Sequence, residues 1–236
     1  MNTLTTDPRV KTALIIAAVT FVCTSSLAAM HQLTRERIAH SEIIATTARL
    51  NEIIPPTLYD NAIHNDTVTL THPALAPDQP AKIWRARLNN RPTAAVLTVT
   101  APDGYNGNII SLVGIDVAGN ILGVRVLSHR ETPGLGDDIE LPRSSWIRSF
   151  DNLSMDALPD NQWQVRRDGG YFDQFTGATI TPRAVVRSVY RALHFFDNHV
   201  DTVFCESNCE AAVHDTKDTV QHNVGQNVLG QFTHEQ

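Results

Sequence analysis

Cysteine is scarce in this chain. Its three residues, Cys23, Cys205 and Cys209, are too few and too scattered for a disulfide scaffold, an iron–sulfur site or a four-cysteine zinc site. The ten histidines include no H-E-x-x-H or comparable spacing, so the pattern offers no metal site. Basic residues show no excess either. Lys and Arg total 19 against 25 Asp and Glu, for a net charge of -6, and no basic stripe is visible. That balance argues against nucleic acid as a partner. Wholesale disorder is excluded in turn, because hydrophobic residues make up 42% and charged residues only 19%. The 236 residues suffice for one good-sized domain with appendages. There is no internal repeat.

Long apolar runs are also missing, with one exception at the N-terminus. From Thr12 to Met30, between Lys11 and His31, 19 residues carry no charge. As a helix they span roughly 28 Å at about 1.5 Å per residue, close to the hydrocarbon thickness of a bilayer. Three readings fit: a retained anchor, a cleaved signal peptide with Arg9 and Lys11 as its basic region, and a buried helix of a soluble protein. Cys23 inside the run reads as a small packing residue. Basic residues flank the run almost equally, so charge alone does not orient it.

Beyond the run, residues 31–53 read as a helix ended by Pro55-Pro56. Residues 57–80 read as loop with short strands. Ile83–Leu88 and Ala95–Thr100 alternate at period two and read as half-buried strands. Asp103–Gly107 is a turn cluster. Ile109–Val117 and Ile121–Leu127 form a hairpin about Ala118-Gly119-Asn120. A short helix is expected around Trp146, Ile147 and Phe150. Thr181 followed by Pro182 reads as N-cap and first helical position of a helix over 182–197. Its apolar face is Val185, Val186, Val189, Tyr190, Leu193 and Phe196. From residue 199 to 236 the chain turns polar and is expected to be a dispensable mobile tail. Within it Cys205 and Cys209 suit a surface disulfide or two thiols better than a metal site, and His214, His222 and His234 suit a solvated tail.

Two segments carry chemistry. The first is Asp173-Gln174-Phe175-Thr176-Gly177-Ala178-Thr179, a hydroxyl-rich loop just before a helix N-terminus. Free backbone N–H groups and the helix dipole favour a phosphate there, and Gly177 lets a ligand approach the backbone. The bland reading is a capped loop that binds nothing. The second is His129-Arg130-Glu131-Thr132-Pro133-Gly134-Leu135-Gly136, at the end of the hairpin. It is expected to be a tight loop with exposed amides, or only a turn.

Together the two segments resemble the FMN-binding domain family. D-x-x-T-G-A-T matches its flavinylation signature, H-x-E-T-P-G-L-G its second hallmark, and Gly104-Tyr105-Asn106-Gly107-Asn108-Ile109 looks like its third. With the single span and this length, the chain is similar to the G subunits of Rnf/Rsx electron transport complexes over roughly residues 5–198. Thr176 stands where many members have Ser and keeps the hydroxyl. The resemblance implies an α+β fold: one transmembrane helix, then a mixed FMN-binding domain with antiparallel hairpins. It divides the chain into a cytoplasmic segment 1–11, the span 12–30, a juxtamembrane helix with the first part of a periplasmic domain at 31–95, the FMN-binding domain at 96–198, and the tail.

The resemblance also implies roles. Thr179 is the acceptor to which a flavin transferase joins FMN, taken from FAD, as a phosphoester. Thr176, Gly177, Ala178 and Thr181 lie near the phosphate, and Asp173 matters to the transferase. Glu131, Thr132, Gly134, Leu135 and Gly136 lie along the isoalloxazine. No resident metal and no catalytic group beyond the flavin are expected. The implied function is electron relay in an inner-membrane complex that couples electron transfer to ion translocation, with membrane and iron–sulfur subunits as partners and no independent turnover. Two alternatives are the corresponding FMN subunit of the sodium-pumping NADH:quinone reductase and a membrane-anchored binding module that carries no flavin.

Overall fold

A computed structural model describes residues 8–77 and 79–205. Cys209, the three tail histidines and the rest of 206–236 lie outside the described residues, as do residues 1–7. The chain divides into two units, 1–48 and 49–236. Helix α1, Pro8–Asn51, supplies the first and runs into the second. Within it Lys11–Ala28 has a mean hydropathy of 1.7 and is long and apolar enough to cross a membrane. The expected helix over 31–53 is therefore the continuation of α1. After Asn51 the chain turns, with Ile53 and Ile54 N–H both bonded to Leu50 O, and Pro55-Pro56 prevent further helix.

The second unit is built on one antiparallel meander. Strands β1 Thr67–Leu70, β2 Ala81–Leu88, β3 Arg91–Gly104, β4 Gly107–Asp116 and β5 Ile121–Ser128 pair in sequence order. Each connection is short enough for antiparallel neighbours. In the β4–β5 turn Gly119 takes φ +82, and Asp116 Oδ1 accepts from the Ala118 and Asn120 N–H groups at 2.9 and 2.8 Å. The hairpin thus forms where the Gly-Asn pair predicts it.

Helix α2, Ile180–Phe204, covers one face of the sheet. Its Val185, Val186, Val189, Leu193 and Phe196 form a core with Leu97 and Val99 of β3 and Val113 and Ile115 of β4. A 3-10 turn, Ser145–Phe150, adds Trp146, Ile147 and Phe150 to the same core where the sequence predicts a short helix. Leu50, Ile53, Ile54 and Ile63 pack on the opposite face against Trp84, Ala86, Val96 and Leu112.

Three expectations are corrected. β2 and β3 are not half-buried strands. Ala94–Leu97 are fully buried, because the 50–63 segment covers the face that alternation would leave in water. No boundary falls between residues 95 and 96: β3 crosses it, pairing with β2 and β4 together. The tail does not begin at residue 199. α2 bends at His199 (φ −133, ψ 23) but continues, and Val203 and Phe204 enter the core.

Candidate functional site

Three separated segments meet at the N-terminus of α2 and enclose a cleft of about 310 Å³. Tyr105 comes from the β3–β4 turn. The loop after β5 brings Glu131, Thr132, Leu135 and Gly136. The approach to α2 brings Gly177, Ala178 and Thr179, and its first turn Ile180 and Thr181. The volume lies at the small end for ligand sites. Tyr105, Leu135 and Ile180, 64%, 44% and 44% exposed, give it an apolar rim.

The approach to α2 is a turn in which Ala178 N–H bonds Phe175 O at 3.2 Å. Its third position needs positive φ, which Gly177 supplies at +85. Helix α2 then starts two residues earlier than Thr181-Pro182 predicts. Thr179 occupies the N-cap with φ −79 and ψ −28, and Pro182 sits at the third helical position, still within the turn whose N–H groups have no helical partner. The Thr179 side chain makes no capping bond, and its hydroxyl bonds no described residue. The N–H groups of Ile180 and Thr181 likewise bond no described acceptor. A free hydroxyl and two free amides therefore meet at the positive end of a 25-residue helix.

Thr181 has a different role from the cap expected of it. It is 1% exposed, and its hydroxyl donates to Glu131 Oε2. Glu131, also buried, accepts the Asn106 N–H on Oε1 at 3.0 Å. The loop that carries Glu131 is fixed from behind: its own N–H donates to His129 Nδ1 at 3.1 Å. That bond leaves His129 Nε2 as the N–H, which donates to Glu140 Oε1 at 2.9 Å.

The loop amides are not exposed, contrary to expectation. Leu135 and Gly136 N–H bond Thr132 O at 3.1 and 2.9 Å, and Gly134 N–H bonds the buried Asp137 Oδ1 at 2.6 Å. This segment can offer a ligand side chains and carbonyl oxygens, but not those N–H groups.

Of the residues singled out by sequence, Glu131, Thr132, Leu135, Gly136, Gly177, Ala178, Thr179 and Thr181 line the cleft. Thr176, Gly134 and Asp173 do not. Thr176 fills the turn beside Gly177, and Gly134 takes φ +76 at the back of its loop. Asp173 is exposed and pairs with Arg166 Nη1 at 2.8 Å, while its main-chain O accepts Trp146 Nε1–H at 2.8 Å. Ile180 lines the cleft without having been singled out, and Tyr105, part of the third hallmark segment, without having been given a role. An aromatic at the tip of a Gly-x-Asn-Gly turn is the one signal that points to Tyr105. Beside the cleft, Arg183 grips Asp168 with two bonds of 2.7 and 2.9 Å, which hold the Asp168 carboxyl below its ordinary pKa.

Comparison with known proteins agrees with this geometry. The FMN-binding domain family matches residues 104–194, a span that contains every residue lining the cleft. The RnfG N-terminal region matches residues 1–53, which include α1. Relatives described as the G subunit of an ion-translocating oxidoreductase complex match nearly end to end. The protein of Shewanella baltica is 42% identical over 207 residues, 87% of this chain and 98% of the relative. That of Pseudomonas aeruginosa is 41% identical over 216 residues, 91% of this chain and all of the relative. The Photorhabdus laumondii protein is 48% identical over 180 residues, 76% of this chain and 85% of its own. At such identity and coverage, the chain belongs to the family of G subunits of ion-translocating oxidoreductase complexes.

Proposed function

We propose that this chain is the membrane-anchored FMN subunit of an ion-translocating oxidoreductase complex and that it holds its flavin through a phosphoester to Thr179 Oγ1. The observation that carries the attachment is the unengaged Thr179 hydroxyl in the cleft, beside two unpartnered amides at a helix N-terminus. A phosphate there would meet N–H donors and the favourable end of the dipole without displacing any protein bond.

FMN supplies the electron-carrying chemistry when bound, and the protein supplies position and field. Leu135 and Tyr105 offer apolar surface to a flat ring, and Gly177 leaves the backbone bare beneath the approach. A covalent tether makes the local flavin concentration very high and prevents its loss. Asp173, exposed on the approach loop and paired with Arg166, is read as a contact for the flavin transferase. The domain is read as periplasmic, with iron–sulfur and membrane subunits of the complex as neighbours.

Thr179→Ala, co-expressed with a flavin transferase, should lose the covalent adduct and keep its fold, and Thr179→Ser should retain part of it. Intact-protein mass decides: an FMN-sized increment that persists in Thr179→Ala removes the assignment. A flavin that fluoresces on a denaturing gel of the wild type separates this reading from a flavin-free binding module.

A further inference from the structure

Among the described residues, Glu131 is the only acidic one on the wall of the cleft. It is 4% exposed. Both of its oxygens receive hydrogen bonds, from the Asn106 N–H and the Thr181 hydroxyl, and no described cation bonds to it. The donors come from the β3–β4 turn and the first turn of α2, while the carboxylate comes from the loop after β5. One side chain thus joins the three segments that build the site.

The backbone makes room for this group on two sides. A Cβ at Gly136 would stand 2.9 Å from Glu131 Cβ and 3.2 Å from Oε2, and one at Gly104 would stand 3.0 Å from Oε1. Donated hydrogen bonds stabilise the charged form of a carboxyl, and the N-terminus of a long helix does the same. Thr181 belongs to that first turn. Two neutral donors and the helix end, rather than a described cation, face the Glu131 carboxyl.

We infer that the Glu131 carboxylate lowers the reduction potential of the flavin in this cleft. The inference rests on the reading that FMN occupies the cleft beside Thr179. Its physical basis is Coulombic. Adding an electron beside a fixed negative charge is disfavoured, and a buried charge is poorly screened by salt. The positive helix end, which would favour the reduced flavin, is offset by the same carboxylate.

The test uses full-length flavinylated protein in detergent, titrated spectroelectrochemically, with an intact mass for each sample. In Glu131→Gln, Oε1 still accepts the Asn106 N–H and Nε2 can donate to Thr181 Oγ1, so shape is kept and charge is lost. This variant should favour the reduced flavin at least tenfold, a positive shift of about 30 mV for a two-electron couple. Glu131→Asp keeps the charge and should shift by less than half as much. An unchanged potential in flavinylated Glu131→Gln overturns the inference, as does an equal shift in Glu131→Asp, which would mark a packing effect. Should the Gln variant fail to fold or load, redox-difference infrared spectra of the wild type decide. A carboxylate stretching band that moves on reduction supports the inference, and a protonated-carboxyl band, or no carboxylate movement, overturns it. If the wild type carries no adduct, the Thr179 reading fails by itself, and added FMN bound without the ester is titrated in the same way.

Discussion

Thr179 and Thr181 are two residues apart and physically opposite. One hydroxyl is unengaged at the mouth of the cleft, while the other is buried against a carboxylate. Thr181→Val should therefore cost about 1–3 kcal/mol, because it strips a donor from a buried acceptor. Thr179→Ala should stay within about 0.5 kcal/mol of wild type, as a surface substitution does. Urea unfolding of the two variants side by side measures the difference. The neighbouring glycines separate in a similar way. Gly136→Ala drives its Cβ into Glu131 and should disturb the flavin's optical spectrum. Gly134→Ala meets no atom within 4 Å but is strained at φ +76, so it should lower stability by about 1 kcal/mol and leave the spectrum alone. Equal spectral changes in both would show that Gly134 also lies against the flavin. Asp151 is a further case: burial raises its pKa against the pull of Arg125 and Arg148, and its Oδ1 has no hydrogen-bond partner. A raised folded-state pKa means that the ionised form costs stability above that pKa, and that this cost vanishes as pH falls below the ordinary aspartate range. Asp151→Asn should thus raise Tm at pH 7, and the gain should disappear near pH 3. At this scale the sequence is legible where the chemistry is contiguous. D-x-x-T-G-A-T is one loop, so the residues that it brings to the cleft, Gly177, Ala178 and Thr179, stand together in the sequence. The Glu131–Thr181 pair spans 50 residues, and the Asn106 bond spans 25, so neither shows as a pattern. The loop amides read as exposed because their acceptors, Thr132 O and Asp137 Oδ1, become acceptors only once the loop has closed.

Helix α2 shows the same limit one level up. Its apolar face is plain in the spacing of Val185, Val189 and Phe196, but its end is not, because polar residues around Asn198 hide three apolar ones beyond, Val200, Val203 and Phe204. Val203 and Phe204 are held by an arrangement that no local pattern contains. Arg85 Nη1 donates to Cys205 O at 2.8 Å and Arg87 Nη2 to Phe204 O at 3.2 Å, closing carbonyl groups at the helix C-terminus with cations. Asp66 clamps both arginines, at 2.6 and 3.0 Å, and Asn61 braces Asp66. A chain ending at residue 205 should therefore fold with its cleft intact, whereas one ending at residue 198 should be strongly destabilised. Phe204→Ala alone should cost about 3 kcal/mol by core truncation. Thermal unfolding of the three proteins checks this, and a chain ending at 198 with wild-type Tm would show that the last turn of α2 is dispensable.

For the whole molecule, the sheet is a wall covered on both sides. α2 lies on one face, and the segment that leaves α1 lies on the other. The β4–β5 hairpin follows from its β-branched runs and its Gly-Asn turn. The second covering layer does not, because Leu50, Ile53 and Ile54 read from sequence as the end of a helix rather than part of a core. The contact rests on Gly114, paired across the strands with Gly123. A Cβ added at Gly114 would overlap Ile53 Cγ2, and Gly123 lies against the Ile53 backbone. Arg125 Nη2, further along β5, holds Glu52 O at 3.0 Å. Ile53 and Gly114 are thus a size-complementary couple whose summed volume is fixed. Gly114→Ala should cost about 1–3 kcal/mol by overpacking, and Ile53→Ala about 2–5 kcal/mol by leaving a void. The double variant should lose less than the sum, as substitutions in direct contact do. Neither position drifts independently: the cost of a change at either falls on a background already altered at the other, which makes the order of substitutions matter to any lineage that varies this joint.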